Sequence, residues 1–151
     1  MFRQYHYLSG SIAKGSRCYV AMYQDKPVGF IAVMHIHMKA RYYRVHRLVV
    51  LPDYQGIGLG KRLLNFIAEL YTSQTKAPFY IVTSNPQIVR GNLDRWRVKR
   101  YGHVKRSDKQ DTRMNNEIKA SVSAKRISIT LEYKPLKGNF KFLFEKAGVH
   151  C

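Results

Sequence analysis

The sequence predicts an α+β fold in which a mixed, mostly antiparallel sheet is flanked by helices. Two strand-like runs joined by a short turn predict an antiparallel hairpin near the start of the chain. A strand, a glycine-rich loop, an amphipathic helix and another strand then follow one another, which predicts a parallel βαβ unit. The length of 151 residues suits one hydrophobic core, so we expect a single domain over 1–151.

The hairpin is predicted from the alternation of apolar and polar residues. Its strands run over Cys18–Tyr23 and Val28–Met38, with the turn at Asp25–Pro27. A third strand over Tyr42–Leu51 is expected to pair antiparallel to the second, because the connection between them is short. Before the hairpin, apolar residues at helical spacing predict a short helix over Tyr5–Ile12.

The parallel unit begins at the end of the third strand. Glycines interrupt the pattern over Gln55–Gly60, and apolar residues then recur at spacings of three and four over Lys61–Tyr71, which is typical of an amphipathic helix. A short apolar strand, Phe79–Thr83, follows this helix. Because a helix connects the two strands, they are expected to be parallel.

The second half of the chain predicts one more helix and one more strand. Asn85, a good N-cap residue followed by proline, predicts the start of a helix that runs to about Arg100 and ends at Gly102. Strict alternation over Arg126–Tyr133 predicts a half-buried strand. The tail 134–151 carries phenylalanines at alternate positions, which predicts an edge strand or a cover for the core.

The charge balance indicates an acidic partner. The chain has 27 Lys and Arg against 9 Asp and Glu, a formal net charge of +18. A polyphosphate cofactor would neutralise about four of these charges. The excess therefore indicates nucleic acid such as RNA, another acidic macromolecule, or a solubilising surface.

The sequence also predicts the cellular setting. Cys18 and Cys151 are too few for a disulfide framework and lie far from any His/Cys cluster, so no metal site is expected. No run approaches the roughly eighteen apolar residues of a membrane span, and the start of the chain lacks the apolar stretch of a signal peptide. These features predict a soluble cytoplasmic protein with no membrane partner.

The glycine-rich loop predicts a phosphate-binding site, because it lies between a strand and the N-terminus of a helix. It is not a Walker A loop, since Gln55 stands where glycine is needed and Arg62 where serine or threonine is needed. It is not a Rossmann fingerprint, because Lys61 stands where the third glycine is needed and no acidic residue lies about 20 residues further on.

The stretch Val50–Gly60, VLPDYQGIGLG, resembles the coenzyme A motif of the GNAT acetyltransferases, Gln/Arg-x-x-Gly-x-Gly/Ala after a strand that ends in Val-x-Pro. With the neighbouring elements the resemblance spans roughly 18–133. It implies the GNAT-like acyl-CoA N-acyltransferase fold, the cofactor acetyl-CoA, and transfer of acetyl to an amine whose identity the motifs do not reveal. More loosely, His46–Val50 resembles acetyltransferase domains fused to ABC-type ATPases.

The resemblance also implies which residues bind the cofactor. In the family, loop amides grip the pyrophosphate, pantetheine adds to the third strand as a pseudo-strand, and an Asn stands at the start of the next helix. The positions that match are Gln55, Gly56, Ile57, Gly58, Leu59, Gly60 and Lys61 for the pyrophosphate, Leu48, Val49 and Val50 for pantetheine, and Asn85. Asn85 could equally be a plain N-cap.

The usual catalytic base of the family is missing. Family members often place a Glu on the third or fourth strand, but here the nearest acidic residues are Asp53, in the turn, and Glu69, on the helix. Histidine titrates in the required range, so His46, which alternation places in one set with Leu48 and Val50, and His37 on the neighbouring strand are the candidates. Each could instead be a histidine without a role, and a water relay would need no side-chain base.

The family often supplies a catalytic acid from a Tyr in a Tyr-x-x-x-Gly-Phe pattern near the end of the helix after the fourth strand. The corresponding stretch here, Trp96–His103, has Tyr101 directly before Gly102 and no Phe. Tyr101 is the candidate that the resemblance implies for protonation of the leaving thiolate. A tyrosine that only packs in the core is the alternative.

The same stretch is strongly basic and contains aromatic residues, a combination that suits phosphate contacts and base stacking. Six basic residues lie within Arg95–Arg106, interleaved with Trp96 and Tyr101. The alternatives are a solvated helix face and a non-catalytic nucleic-acid-binding module that retains the scaffold. Because an obvious first strand is lacking, the sheet could be completed by the tail or by a partner in a homodimer.

Overall fold

The computed structural model describes residues 12–37, 40–91, 94–103 and 127–136. In these residues six strands form one sheet in the order β1-β2-β3-β4-β6-β5, with two helices. The elements are β1 (Arg17–Tyr23), β2 (Lys26–His37), β3 (Arg41–Val50), α1 (Leu59–Gln74), β4 (Phe79–Thr83), α2 (Pro86–Arg90), β5 (Trp96–His103) and β6 (Ile127–Tyr133). No helix in the described ranges is long and apolar enough to cross a membrane.

The predicted hairpin and third strand are confirmed, because β1, β2 and β3 pair antiparallel in sequence order. The turn differs from the prediction. It consists of Gln24 and Asp25, both with positive φ, and Lys26 and Pro27 already belong to β2. A two-residue turn with two left-handed residues follows the right-handed twist of the strands that it joins, which explains the tighter connection.

The predicted βαβ unit is also confirmed. β3 and β4 are parallel, with Tyr43 opposite Phe79 and Val45 opposite Ile81, and α1 connects them. α1 packs its apolar side against one face of the sheet, where Leu64 and Ile67 are buried with the core residues of the strands. This packing fixes the start of the helix against the end of β3.

The predicted helix over residues 85–100 is wrong beyond its first turns. α2 ends at Arg90, and Trp96–His103 is strand β5, which pairs antiparallel with β6. Gly102 therefore does not end a helix but lies within the strand, opposite Ser128. Pairing with β6 overrides the helical spacing of the apolar residues, because the alternation that begins at Trp96 buries its indole against the core.

Two polar side chains of α1 hold the strands that lie beyond β4. Asn65 Oδ1 accepts a hydrogen bond of 2.8 Å from Trp96 Nε1, and the buried carboxylate of Glu69 accepts one of 2.7 Å from the Tyr133 hydroxyl. Burial raises the pKa of Tyr133 to about 12, so the phenol keeps the proton that it donates. Glu69 also accepts from the backbone N–H of Leu136 at 3.3 Å, which ties the chain after β6 to the helix.

Two predictions lie mostly outside the described residues. Of the predicted helix over Tyr5–Ile12, only Ile12 is described, and it is not helical. Of the tail 134–151, only 134–136 is described.

Trp96 and Tyr101 give a matched test of the β5 assignment, because both are aromatic residues of one strand with opposite exposure. Trp96 is 8% exposed and Tyr101 is 76% exposed. Trp96→Ala should lower the free energy of unfolding by about 3–5 kcal/mol, whereas Tyr101→Ala should change it by no more than about 0.5 kcal/mol. Urea denaturation measures both, and equal losses in the two variants would contradict this arrangement.

Candidate functional site

The sheet opens between β3 and β4. The two strands pair only from Tyr43 opposite Phe79 to Val45 opposite Ile81. Beyond that point β3 continues beside β2, while β4 continues beside β6. The strands therefore separate, and the end of β3 has a backbone edge that β4 does not cover.

The separation begins at a β-bulge. Val33 of β2 lies opposite Val45 and Ala32 lies opposite Arg47, so His46 is the extra residue of β3. A bulge increases the local twist of a strand and turns its end away from the neighbour. The prediction that His46 belongs to one alternating set with Leu48 and Val50 is therefore wrong, because the bulge interrupts the alternation between them.

The backbone of Leu48 and Val50 points to the open edge. Leu51 N donates a hydrogen bond of 3.0 Å to Val28 O on β2, so the residue before it points away from β2. Gln55 Nε2 donates to Val50 O at 2.8 Å from that other side, in agreement with this direction. The same alternation points the N–H and C=O of Leu48 to the open edge, available to an extended ligand.

The loop after β3 is shaped by two glycines in the left-handed region. Gly56 and Gly58 both have φ of 81°, which other residues adopt only with strain. A Cβ atom at either position would have no heavy atom within 4 Å, so the glycines keep free the space in front of the loop backbone. This is the geometry that a bulky anion needs in order to approach backbone amides closely.

The N-terminus of α1 presents positive charge to this space. Gly58 is the N-cap and has no side chain to cap the helix, and no acidic residue lies in the first turn. Lys61 and Arg62 lie there instead, where their charges oppose the helix dipole. A bound anion would satisfy the free amides and offset this repulsion, so the end of the helix fits a phosphate group.

These features meet in one cleft of about 560 Å³. Ten of the eleven residues that the sequence indicated for cofactor binding line it, namely Leu48, Val49, Val50, Gln55, Gly56, Gly58, Leu59, Gly60, Lys61 and Asn85. Ile57 does not line it and is 68% exposed. The sequence analysis missed Tyr54, Leu64, Gln87, Ile88 and Gly91, of which Tyr54 could have been found from its place inside the motif.

Asn85 is the predicted N-cap of the next helix. Its Oδ1 accepts a hydrogen bond of 2.9 Å from the backbone N–H of Gln87, and Pro86 occupies the first helical position. The residue lies on the opposite wall of the cleft from β3, at the point where β4 ends. Its side chain thus both caps α2 and borders the cleft.

His46 is half-buried at the bulge. Its Nε2 accepts a hydrogen bond of 3.2 Å from the backbone N–H of Ala13, which favours the neutral ring with the proton on Nδ1. Burial, with smaller contributions from Arg47 and Arg44, lowers the pKa of His46 below its usual 6.5. The imidazole is therefore neutral at physiological pH.

None of the three catalytic candidates, His46, His37 and Tyr101, lines the cleft. His37 is exposed at the end of β2, with its ring centroid 3.6 Å from that of His35. Tyr101 lies on the edge strand β5, opposite Ile129, and β4 and β6 separate β5 from β3. Its predicted position on a helix is wrong, because Trp96–His103 is strand β5.

No group of three His, Cys, Asp or Glu within the described ranges could hold a metal ion.

Comparison with known proteins agrees with this geometry. Residues 14–91 match the family model of the acetyltransferase (GNAT) domain, which covers the hairpin, β3, the loop, α1, β4 and α2. No curated protein sequence matches the chain.

Solved structures share the fold at low sequence identity. The chain is 18% identical to the IAA acetyltransferase from Bacillus cereus, with a TM-score of 0.56, covering 80% of this chain and 78% of that one. It is 18% identical to Arabidopsis thaliana Naa50 in complex with a CoA-peptide bisubstrate analogue, with a TM-score of 0.54 and coverage of 78% and 72%. A GNAT acetyltransferase from Elizabethkingia anophelis with bound acetyl-CoA is 15% identical, with a TM-score of 0.56 and coverage of 80% and 76%. The predicted GNAT-like α+β fold is confirmed.

The lowered pKa of His46 predicts a pH dependence of stability. The unfolded chain binds a proton at His46 more tightly than the folded protein does, so stability is greatest above pH 6.5 and falls as the pH drops through the folded pKa. His46→Gln should reduce this loss between about pH 7 and pH 5. His35, whose pKa burial and His37 also lower, should account for a further part in a His35→Gln variant.

Urea titrations at a series of pH values measure the effect. An unchanged pH dependence in His46→Gln would contradict the assignment.

Proposed function

The chain belongs to the GNAT acetyltransferase family and is an acetyl-CoA-dependent N-acetyltransferase, and we propose that the cleft between β3 and β4 is where it binds the cofactor. In this proposal the loop over Gln55–Lys61 holds the pyrophosphate. The open edge of β3 at Leu48 and Val50 pairs with the amide groups of pantetheine, and Asn85 contacts the cofactor from the opposite wall.

The observation that carries the proposal is that one cleft contains two surfaces, each of which suits a different part of coenzyme A. The loop and the N-terminus of α1 offer amides and positive charge, which suit a pyrophosphate. The edge of β3 offers an N–H and a C=O in strand geometry, which suit an extended chain with amide groups. Coenzyme A carries both chemical features in that order.

Acetyl-CoA supplies an activated acetyl group, and the chain has to orient it and accept a proton. The lone pair of the acceptor nitrogen forms a bond to the acetyl carbonyl carbon, the carbon–sulfur bond breaks, and the sulfur leaves as a thiolate. The nitrogen then loses one proton. We propose His46 as the group that takes it, because a neutral imidazole lies at the bulge where β3 and β4 separate. To act, Nε2 must exchange the N–H of Ala13 for the acceptor amine or a water.

Other expectations from the sequence stay predictions. Tyr101 stays the predicted acid and His37 an alternative base, but neither lies at the bulge where β3 and β4 separate, which is the feature that favours His46. A homodimer and a cytoplasmic location are likewise predictions that the described residues do not test. The alternative of a non-catalytic nucleic-acid-binding module predicts no turnover, and membership of the family does not favour it.

Gly58→Ala tests the cofactor site against a matched control. Gly15 has φ of 82° and open space around its Cβ position, so Gly15→Ala introduces the same strain outside the loop. Both variants should lose about 1–2 kcal/mol of stability. Only Gly58→Ala should weaken acetyl-CoA, by roughly ten- to a hundredfold, because the new Cβ displaces the pyrophosphate from a backbone amide.

Isothermal titration calorimetry with acetyl-CoA gives the two affinities. Equal affinities of the two variants, or a weaker Gly15→Ala protein, would show that the loop does not hold the cofactor.

His46→Gln tests the proposed base. Loss of a general base should lower kcat by about 10² or more while leaving the KM for acetyl-CoA nearly unchanged. It should also remove the acidic limb of the pH–rate profile in an assay that detects released CoA thiol. Tyr101→Phe and His37→Gln, measured alongside, should keep a wild-type kcat if His46 acts without them. A wild-type profile in His46→Gln would overturn the assignment.

A further inference from the structure

The face of the sheet opposite α1 carries a row of side chains that the cofactor site does not use. Register places Met34, Arg44, Tyr80, Glu132 and Arg97 side by side across β2, β3, β4, β6 and β5. The neighbours of these residues along the strands, such as Phe79 and Leu131, are buried in the core against α1. Because side chains alternate along a strand, the row lies on the other face.

Aromatic rings lie at the centre of this face. Tyr42 and Tyr80 are half-buried, and their rings meet edge to face with centroids 5.3 Å apart. Val82 follows Tyr80 on the same face and is 43% exposed. Because the two rings are nearly perpendicular, at 79°, one of them can offer its face to a flat base, and Val82 extends the apolar surface of this platform.

Basic residues border the platform. Arg97 donates two hydrogen bonds of 2.8 and 3.1 Å to the carboxylate of Glu132, and Lys99 Nζ lies 3.2 Å from the same carboxylate. Arg100 lies opposite Thr130, which pairs with Val82 of the platform. With Arg44 on the other side, four cations face one carboxylate, so three positive charges are not neutralised within the group.

The Arg97 and Lys99 side chains are 53% exposed even though both contact Glu132, so a further anion can reach them. We name this surface, formed by Tyr42, Arg44, Tyr80, Val82, Arg97, Lys99 and Arg100, the basic sheet face. A five-stranded face is too broad to enter a groove of a duplex. It suits an extended single strand whose bases reach the tyrosines and whose phosphates reach the basic residues.

We propose that the basic sheet face binds single-stranded RNA, independently of the cofactor cleft. RNA rather than DNA is favoured because the Tyr42 and Tyr80 hydroxyls can bond a ribose 2′-hydroxyl beside a stacked base. RNA rather than an acidic peptide is favoured because carboxylate side chains would leave the rings unused. The surface accounts for three of the 18 excess positive charges of the chain.

The test uses the full chain and a fluorescein-labelled twelve-residue oligouridylate, with anisotropy followed over a range of salt concentrations. Lys99→Gln/Arg100→Gln removes two charges and keeps the bidentate pair of Arg97 with Glu132. Lys26→Gln/Lys76→Gln removes two charges from exposed positions elsewhere and is the matched control. Only the first variant should flatten the slope of log affinity against log salt, by about 1.4 for two phosphates on a single strand.

Tyr80→Leu tests stacking, with Tyr80→Phe as the variant that keeps the ring. Tyr80→Leu should weaken binding by roughly five- to a hundredfold, and Tyr80→Phe by much less. Far-UV circular dichroism and acetyl-CoA affinity should be unchanged in every variant, which separates this test from that of the cofactor site.

Four results would overturn the proposal. The first is equal salt slopes in the two double variants, and the second is a wild-type affinity in Tyr80→Leu. The third is competition by polyglutamate or by duplex RNA as effective as that by the single strand. The fourth, equal binding of oligothymidylate DNA, would remove the assignment to RNA.

Discussion

The site depends on one constraint, which is that β3 and β4 can pair over only three residues. α1 joins the two strands in parallel and packs its apolar side on them, so they stay together where Val45 lies opposite Ile81. The bulge at His46 then turns the end of β3 away, and among the described strands the end of β4 pairs with β6 alone, on its other side. The resulting wedge exposes a strand edge beside a helix N-terminus. The helix N-terminus alone would suit any anion. Only together with the strand edge does it favour a ligand as long as coenzyme A.

The positive charge of the chain is distributed between two faces of the sheet. On the helix side, Lys61 and Arg62 lie in the first turn of α1, which holds no acidic residue, and this costs stability until an anion binds. On the other side, Glu132 already neutralises part of the charge of Arg97 and Lys99. Glu132 itself keeps a lowered pKa, chiefly because Arg97 donates to it. The two regions consist of different residues, so each can be altered by its own substitutions.

The elements and site residues that depend on residues close in the sequence were predicted well. The hairpin, β3, the loop and α1 follow from residues that are close in sequence, and ten of the eleven cofactor candidates line one cleft because the motif lies within one βαβ unit. The helix beyond Arg90 was wrong because β5 is held by contacts distant in sequence, such as Trp96 with Asn65 and Arg97 with Glu132. The bulge at His46 could not be foreseen, since it exists only as a mismatch between two strands. The row from Arg44 to Arg97 across the sheet also depends on the pairing of strands distant in sequence, so it could not be predicted from the sequence.

The most direct test of the central claim is an amide NMR titration of the full chain with coenzyme A and with its two halves. We predict that ADP shifts the amide signals of Gly56, Gly58, Leu59 and Gly60, that pantetheine shifts those of Leu48 and Val50, and that coenzyme A shifts both sets. Shifts confined to other residues, or loop shifts produced by pantetheine alone, would contradict the account.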